Sequence, residues 1–236
     1  MLSFPAIIDK FVNLRRLFIN YNCLSDDIVS QIARNSKHRL NYIAVKVYKN
    51  DPHYHRIPAR IWQQLVHFCP NIRIHFEFDH MSRYYDICPI VVQGMPLHGI
   101  QIWSGYEMDD QDRLANLINY IHSVFSSTLE LAVLEFDNHD FFFDEELVTL
   151  VERCKKLKVL DVNSTLLVPT VERICKLQQE GKIALRKFHA TLCNLTHVEY
   201  AELNFLEEYY QDMIKEGNLD FEFDTDVMFA EDTPEE

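Results

Sequence analysis

Closely spaced histidines are the first residues in this sequence that could do chemistry. His53 and His55 form an H-x-H pair, which on a strand could offer two ligands to a metal ion. No third ligand is visible, and the P-C-x-x-C pair that accompanies H-x-E in zinc deaminases is absent. We therefore interpret this segment as a polar loop, and we predict neither a metal site nor a cofactor.

Nucleophiles and paired carboxylates are the next candidates. Cys88 could pair with a distant histidine, but such a pair cannot be identified without geometry. Asp144, Glu145 and Glu146 precede an amphipathic stretch, so we interpret them as the first turn of a helix, where acidic side chains favour the helix dipole. No G-x-S-x-G, H-E-x-x-H or glycine-rich phosphate loop occurs. The sequence therefore predicts no catalytic residue and no enzyme.

Charge is distributed unevenly along the chain. Residues 1–120 hold 13 Lys and Arg against 11 Asp and Glu, whereas residues 121–236 hold 10 against 25. Binding to nucleic acid or to an anionic membrane requires Lys and Arg, so we expect neither partner. The six cysteines include no C-x-x-C pair, and the start of the chain lacks a signal-peptide pattern. We interpret the cysteines as reduced, packed thiols and expect a cytoplasmic or nuclear protein.

The elements that would position any functional residue follow an internal repeat. The segment LRRLFINYNCL, residues 14–24, fits the pattern L-x-x-L-x-L-x-x-N-x-L at every fixed position. Similar units begin near residues 14, 40, 71, 97, 131, 157 and 185. Amphipathic stretches follow them, most clearly Ile61 to Phe68, Leu114 to Phe125, Glu145 to Cys154 and Val171 to Leu177.

This pattern predicts an α/β leucine-rich-repeat solenoid over residues 1–216, a horseshoe with a parallel concave sheet and outer helices. A non-repeating α/β domain is the alternative. We expect the stretch from Val198 to Ile214 to be a C-terminal capping helix. Residues 217–236 carry eight acids and no Lys or Arg, so we expect a disordered tail, although Phe221, Phe223 and Phe229 could dock. Before Leu14 we expect a missing segment, a partner, or a short helix from Pro5 to Phe11 to cover the first repeat.

The strands place alternate residues on the concave face. In chain order the outward residues are Arg16, Phe18 and Asn20; Tyr42, Ala44 and Lys46; Arg73, His75 and Glu77; Gly99, Gln101 and Trp103; Val133, Glu135 and Asp137; Val159, Asp161 and Asn163; Lys187, His189 and Thr191. Aromatic and arginine side chains often anchor protein interfaces. We therefore predict a protein-binding site at Arg16, Phe18, Tyr42, Lys46, Arg73, Trp103, Glu135, Asp161 and His189, with basic charge passing to acidic charge along the sheet. An ordinary solvated sheet face is the alternative.

Several segments together resemble a known family: NLRRLFINYNCLSDD, NDPH, FCPNIRIHFEF, FDEELVTLVERCKKL and VERICKLQQEGKIALRKFHA. They are similar to the F-box proteins with leucine-rich repeats, and most of all to the C-terminal repeat half of the F-box only thirty-nine type. The resemblance implies substrate recognition for a Skp1–cullin–F-box ubiquitin ligase. No match to the F-box itself is found, so we expect Skp1 and cullin as partners only if an F-box segment lies upstream. A stand-alone leucine-rich-repeat scaffold or inhibitor is the alternative.

Overall fold

The computed structural model describes residues 4–52, 55–105, 111–138 and 141–225. Within these residues strands alternate with helices. The strands are β1 Arg16–Asn20, β2 Tyr42–Tyr48, β3 Arg73–Asp79, β4 Leu97–Trp103, β5 Leu131–Glu135, β6 Val159–Ser164, β7 Lys187–Leu192 and β8 Asp220–Thr225. The helices are α1 Phe4–Ile8, α2 Asp26–Asn35, α3 Ala59–Phe68, α4 Tyr84–Ile87, α5 Gln111–Phe125, α6 Asp144–Arg153, α7 Val168–Gln179 and α8 His197–Gly217. A short 3-10 helix, Tyr21–Cys23, follows β1.

The described strands form one parallel sheet in which every strand pairs with its neighbours in sequence, in the order β1 to β8. Most of the amphipathic stretches predicted from the sequence fall within the helices between them. Neighbouring helices pack side by side. α2 packs against α3, and further along the chain α5 packs against α6, α6 against α7, and α7 against α8. The chain thus advances by one strand and one helix at a time, which confirms the α/β class and the repeated strand–helix order.

One face of the sheet belongs to the core and the other does not. Along β2, β3, β6 and β7, buried and partly exposed residues alternate, as expected for strands covered on one face. A continuous buried row crosses the sheet at Val45, Phe76, Ile100, Ala132, Leu160, Phe188 and Phe221, and it lies in the main hydrophobic core. We call the opposite side, with Phe18, Ala44 and His75 in one row, the open face.

The expectation of a disordered tail from residue 217 is wrong for residues 217–225. Residues 220–225 form β8, which pairs in parallel with β7, and the side chains of Phe221 and Phe223 are buried against Phe188. The alternation DFEFDT has the two-residue period of a half-buried strand, and two aromatic rings outweigh the repulsion of three carboxylates at the exposed positions. The expected helix does form as α8, but it is followed by another strand instead of ending the fold. Phe229 lies outside the described residues.

The first repeat is preceded by a short helix, as one of the expected alternatives required. α1 ends at Ile8, three residues before the predicted end at Phe11, and packs against α2. Ile8 is buried, and the amide of Asn35 donates a hydrogen bond of 2.9 Å to the Asp9 carboxylate. The coverage is partial, because Phe11 and Val12 remain about half exposed.

Two buried polar residues hold the loops at the carboxyl ends of the strands. The Asn138 amide donates to the carbonyls of Phe141 and Thr165, and its side-chain oxygen accepts from the Thr165 amide at 2.8 Å. Asp144, at the start of α6, accepts hydrogen bonds from the Leu167 amide and the Thr170 hydroxyl. Burial raises the pKa of Asp144, while these hydrogen bonds oppose the rise. This supports the helical interpretation of the carboxylates at 144–146, which lie in the first turn of α6.

Candidate protein-binding face

Aromatic side chains gather at the start of the open face. Phe18 on β1 and Tyr42 on β2 lie 5.6 Å apart between ring centroids, and Tyr42 and His75 on β3 lie 4.9 Å apart. Phe18 is 71% exposed although it is one of the larger apolar side chains of the chain. We call Phe18, Tyr42 and His75 the aromatic cluster.

Two shallow hollows adjoin the aromatic cluster. One of ≈ 500 Å³ is lined by Arg16, Phe18, Asn41, Tyr42, Asn71 and Arg73, so guanidinium and amide donors surround two rings. The other, of ≈ 340 Å³, runs across β1 to β5 and is lined by Phe18, Gly99 and Val133 among others. Its floor exists because Gly99 has no side chain: an added Cβ would overlap the imidazole of His75.

Neutral histidine is favoured beside these hollows. Burial is the main reason that the pKa of His75 is lowered, and the nearby His98 and Arg73 lower it further. The pKa of His98 is lowered by burial as well, although its hydrogen bond to the Pro96 carbonyl opposes the shift. At neutral pH the positive charge of this end of the face therefore comes from arginine and not from histidine.

In the middle of the sheet the charged residues pair with one another. The Lys46 ammonium lies 2.6 Å from Glu77 and 3.3 Å from Asp79, and the hydrogen bond to Glu77 is the main reason that its pKa is raised. The Arg73 guanidinium lies 3.2 Å from the Glu130 carboxylate, which also approaches Lys158. These exposed pairs contribute little stability, but they leave the middle of the face nearly neutral.

The two ends of the face differ in their charged residues. Within the described residues no carboxylate lies within ion-pair distance of Arg16, beside the aromatic cluster. At the other end, His189 lies 3.2 Å from Asp220 and 3.6 Å from Glu222, and Lys187 lies 3.4 Å from Asp161. Burial, assisted by Asp161, raises the pKa of Glu135. Carboxylates therefore outnumber cations on the open face of β5 to β8, whereas Arg16 and Arg73 lie at the β1–β3 end.

The predicted site residues fall into separate groups. Arg16, Phe18, Tyr42 and Arg73 surround one hollow. Trp103 lies apart from them, near the carboxyl ends of the strands, where it pairs in register with Asp79 and Glu135. Its ring lies 4.2 Å from the ring of His80. Lys46 shares its ion pairs with Asp79, next to Trp103. Asp161 and His189 are register partners at the acidic end.

Sequence reasoning missed several residues of the face. Leu131, the leading residue of the fifth unit, lies on the open face beside Gly99, because it has the same parity along β5 as Val133 and Glu135. Asp220 and Glu222 were assigned to the tail. The signal that could have found them is the alternation of acidic and aromatic residues in DFEFDT.

The other candidates for chemistry do not assemble a site in the described part of the chain. His53 lies outside the described residues, and the ring of His55 stacks on Tyr21 at 4.7 Å. Cys88 neighbours Tyr84 and Tyr120. Among the described residues no group of three or more His, Cys, Asp or Glu is arranged to hold a metal ion, and no helix has the length and apolar character needed to cross a membrane.

Compared with models of known protein families, the sequence matches none.

Proposed function

We propose that the protein is a leucine-rich-repeat horseshoe whose open, concave face binds another protein. The observation that carries the proposal is the aromatic cluster flanked by Arg16 and Arg73. Exposed aromatic and arginine side chains are the residues that most often supply the binding energy of protein interfaces. A solvated sheet face with no partner would have no need of a Phe side chain that is 71% exposed next to two open hollows.

The proposed partner is a protein target for ubiquitination, recognised in the manner of the substrate-binding half of a Skp1–cullin–F-box ligase. Support for this step comes from the family resemblance of the repeat segments. Skp1 and cullin would join only if an F-box segment lies upstream. We place the protein in the cytoplasm or nucleus, where such ligases act.

Affinity capture of the tagged chain from its own cell extract tests both parts of the proposal. Mass spectrometry should recover a specific protein, and recovery of Skp1 and cullin with it would mean that an F-box equivalent is present in this chain or arrives through a partner. Recovery of a specific protein without Skp1 would favour the second candidate, a stand-alone scaffold or inhibitor.

A double variant, Tyr42→Ala with Trp103→Ala, separates binding from folding. It should weaken capture of the partner, because both rings lie on the open face, while thermal unfolding changes little. Tyr85→Ala is the matched control, since Tyr85 is 78% exposed on α4 and lies off the open face. Equal capture by the double variant and the control would argue against the open face as the binding surface.

A further inference from the structure

The outer surface of α8 carries an apolar stripe that the fold does not use. Val198, Phe205 and Tyr209 are 65%, 64% and 63% exposed, and their spacings of seven and four residues place them on one side of the helix. The core side of the same helix is formed by Leu203, Leu206 and Tyr210. α8 is therefore apolar on two adjacent sides, although only one is required to attach it to the solenoid.

The apolar stripe borders a groove between α7 and α8. Near the first turns of both helices a hollow of ≈ 530 Å³ is lined by Val168, Pro169, Glu172, Val198, Ala201, Glu202, Phe205 and Leu206. A second hollow, of ≈ 640 Å³, lies near their last turns between Gln178 and Met213. The 12 residues of α7 span about 18 Å, so the groove has the length of a helical segment of three to four turns.

The rim of this groove is acidic. Glu172 is paired with Lys176 at 2.7 Å, but Glu202, Asp212 and Glu216 have no Lys, Arg or His within ion-pair distance in the described part of the chain. α8 itself contains six Asp and Glu and one Lys. An occupant must therefore bring both an apolar stripe and positive charge.

Charge complementarity decides between the possible occupants. A second copy of the chain would bring an identical acidic groove, and residues 226–236, which follow β8, carry five acids and no Lys or Arg. Both would add like charges to the groove. We propose that the α7–α8 groove docks an amphipathic helix of a partner protein, with apolar residues on one stripe and Lys or Arg along its edges. This surface is separate from the open face and does not depend on the function proposed for it.

The proposal is tested with a synthetic peptide of about 14 residues, in which Leu at helical spacing alternates with Lys, carrying a fluorescent label. Its Glu/Leu counterpart has the same Leu pattern and the opposite charge. Fluorescence anisotropy at about 0.15 M salt should show binding of the Lys/Leu peptide only. Val198→Ala with Phe205→Ala should weaken binding at least about tenfold, since central aromatic anchors carry most of the energy of an interface.

Glu202→Lys and Glu207→Lys form a matched pair on α8. Both residues are exposed and the charge change is identical, but Glu202 lines the groove and Glu207 lies on another side of the helix. Glu202→Lys should weaken the Lys/Leu peptide severalfold more than Glu207→Lys. Equal effects of the two variants, or no effect of the apolar pair, would overturn the proposal in favour of general attraction to an acidic protein. Sedimentation showing a dimer that Phe205→Ala disperses would overturn it in favour of a second copy.

Discussion

Replacing Asn138 with Ala should destabilise the fold strongly, because this buried side chain joins two loops. Asn138 is 1% exposed and makes three hydrogen bonds to backbone groups. The bond of 2.5 Å to Phe141 holds its own loop after β5, and the bonds of 2.9 and 2.8 Å to Thr165 tie that loop to the loop after β6. A net contribution of about 1 kcal/mol for each bond gives a loss of about 3 kcal/mol. The Thr165 amide would lose its partner in the interior, which makes this figure a lower estimate.

Urea unfolding followed by circular dichroism measures the loss. Asn41→Ala is the matched control, because Asn41 is exposed and its side chain makes no hydrogen bond within the described residues. Its free energy of unfolding should change by less than about 0.5 kcal/mol. A loss below about 1 kcal/mol for Asn138→Ala would refute the reasoning, because it would mean that water replaces the three bonds and that the loops are not fixed by this side chain.

Three further predictions concern the sheet and two histidines, the half-buried His75 and the buried His122. Gly99→Ala should lower the free energy of unfolding by about 1–3 kcal/mol, because the new methyl group overlaps His75. In a His75→Ala background this loss should vanish, and equal losses in both backgrounds would contradict the close contact between Gly99 and His75. Phe223→Ala should cost about 3 kcal/mol in urea unfolding, and the exposed Glu222→Ala almost nothing; similar small effects would mean that β8 is not part of the core. Because burial lowers the pKa of His75 and of His122, both rings should titrate below 6.5 by NMR, and stability should fall as the pH drops through 6.5 towards the folded pKa values. His122→Gln should reduce that loss, and ring titration at or above 6.5 would contradict it.

The alternation of strands and helices could be predicted from sequence because each unit repeats the same local pattern. Apolar residues at every second position in segments such as NIRIHFEF fixed which side of each strand enters the core. Their parity was sufficient to place Arg16, Phe18, Tyr42 and Arg73 on the open face. Parity needs only the backbone period of two, so it does not depend on long-range contacts.

The lateral arrangement of the face could not be predicted in the same way. Pairing between strands shifts at Ile74 and His75, and the step to β5 brings Leu131 beside Gly99. Such shifts depend on how helices and loops of unequal length pack. The last strand could not be predicted from composition, because the many acidic residues of 217–236 are typical of a disordered tail. The two-residue period of DFEFDT is the better guide here, since burial of Phe221 and Phe223 stabilises the strand.

Binding of the captured partner to purified wild type and to Phe18→Ala with Tyr42→Ala is the most direct test of the open face. Calorimetry should show at least about a tenfold rise in Kd for this double variant, since truncating an aromatic anchor often costs about 2 kcal/mol or more. The Tyr85→Ala control should bind as the wild type does. An unchanged Kd for the double variant, with its fold intact by circular dichroism, would contradict the claim that the aromatic cluster anchors a protein partner.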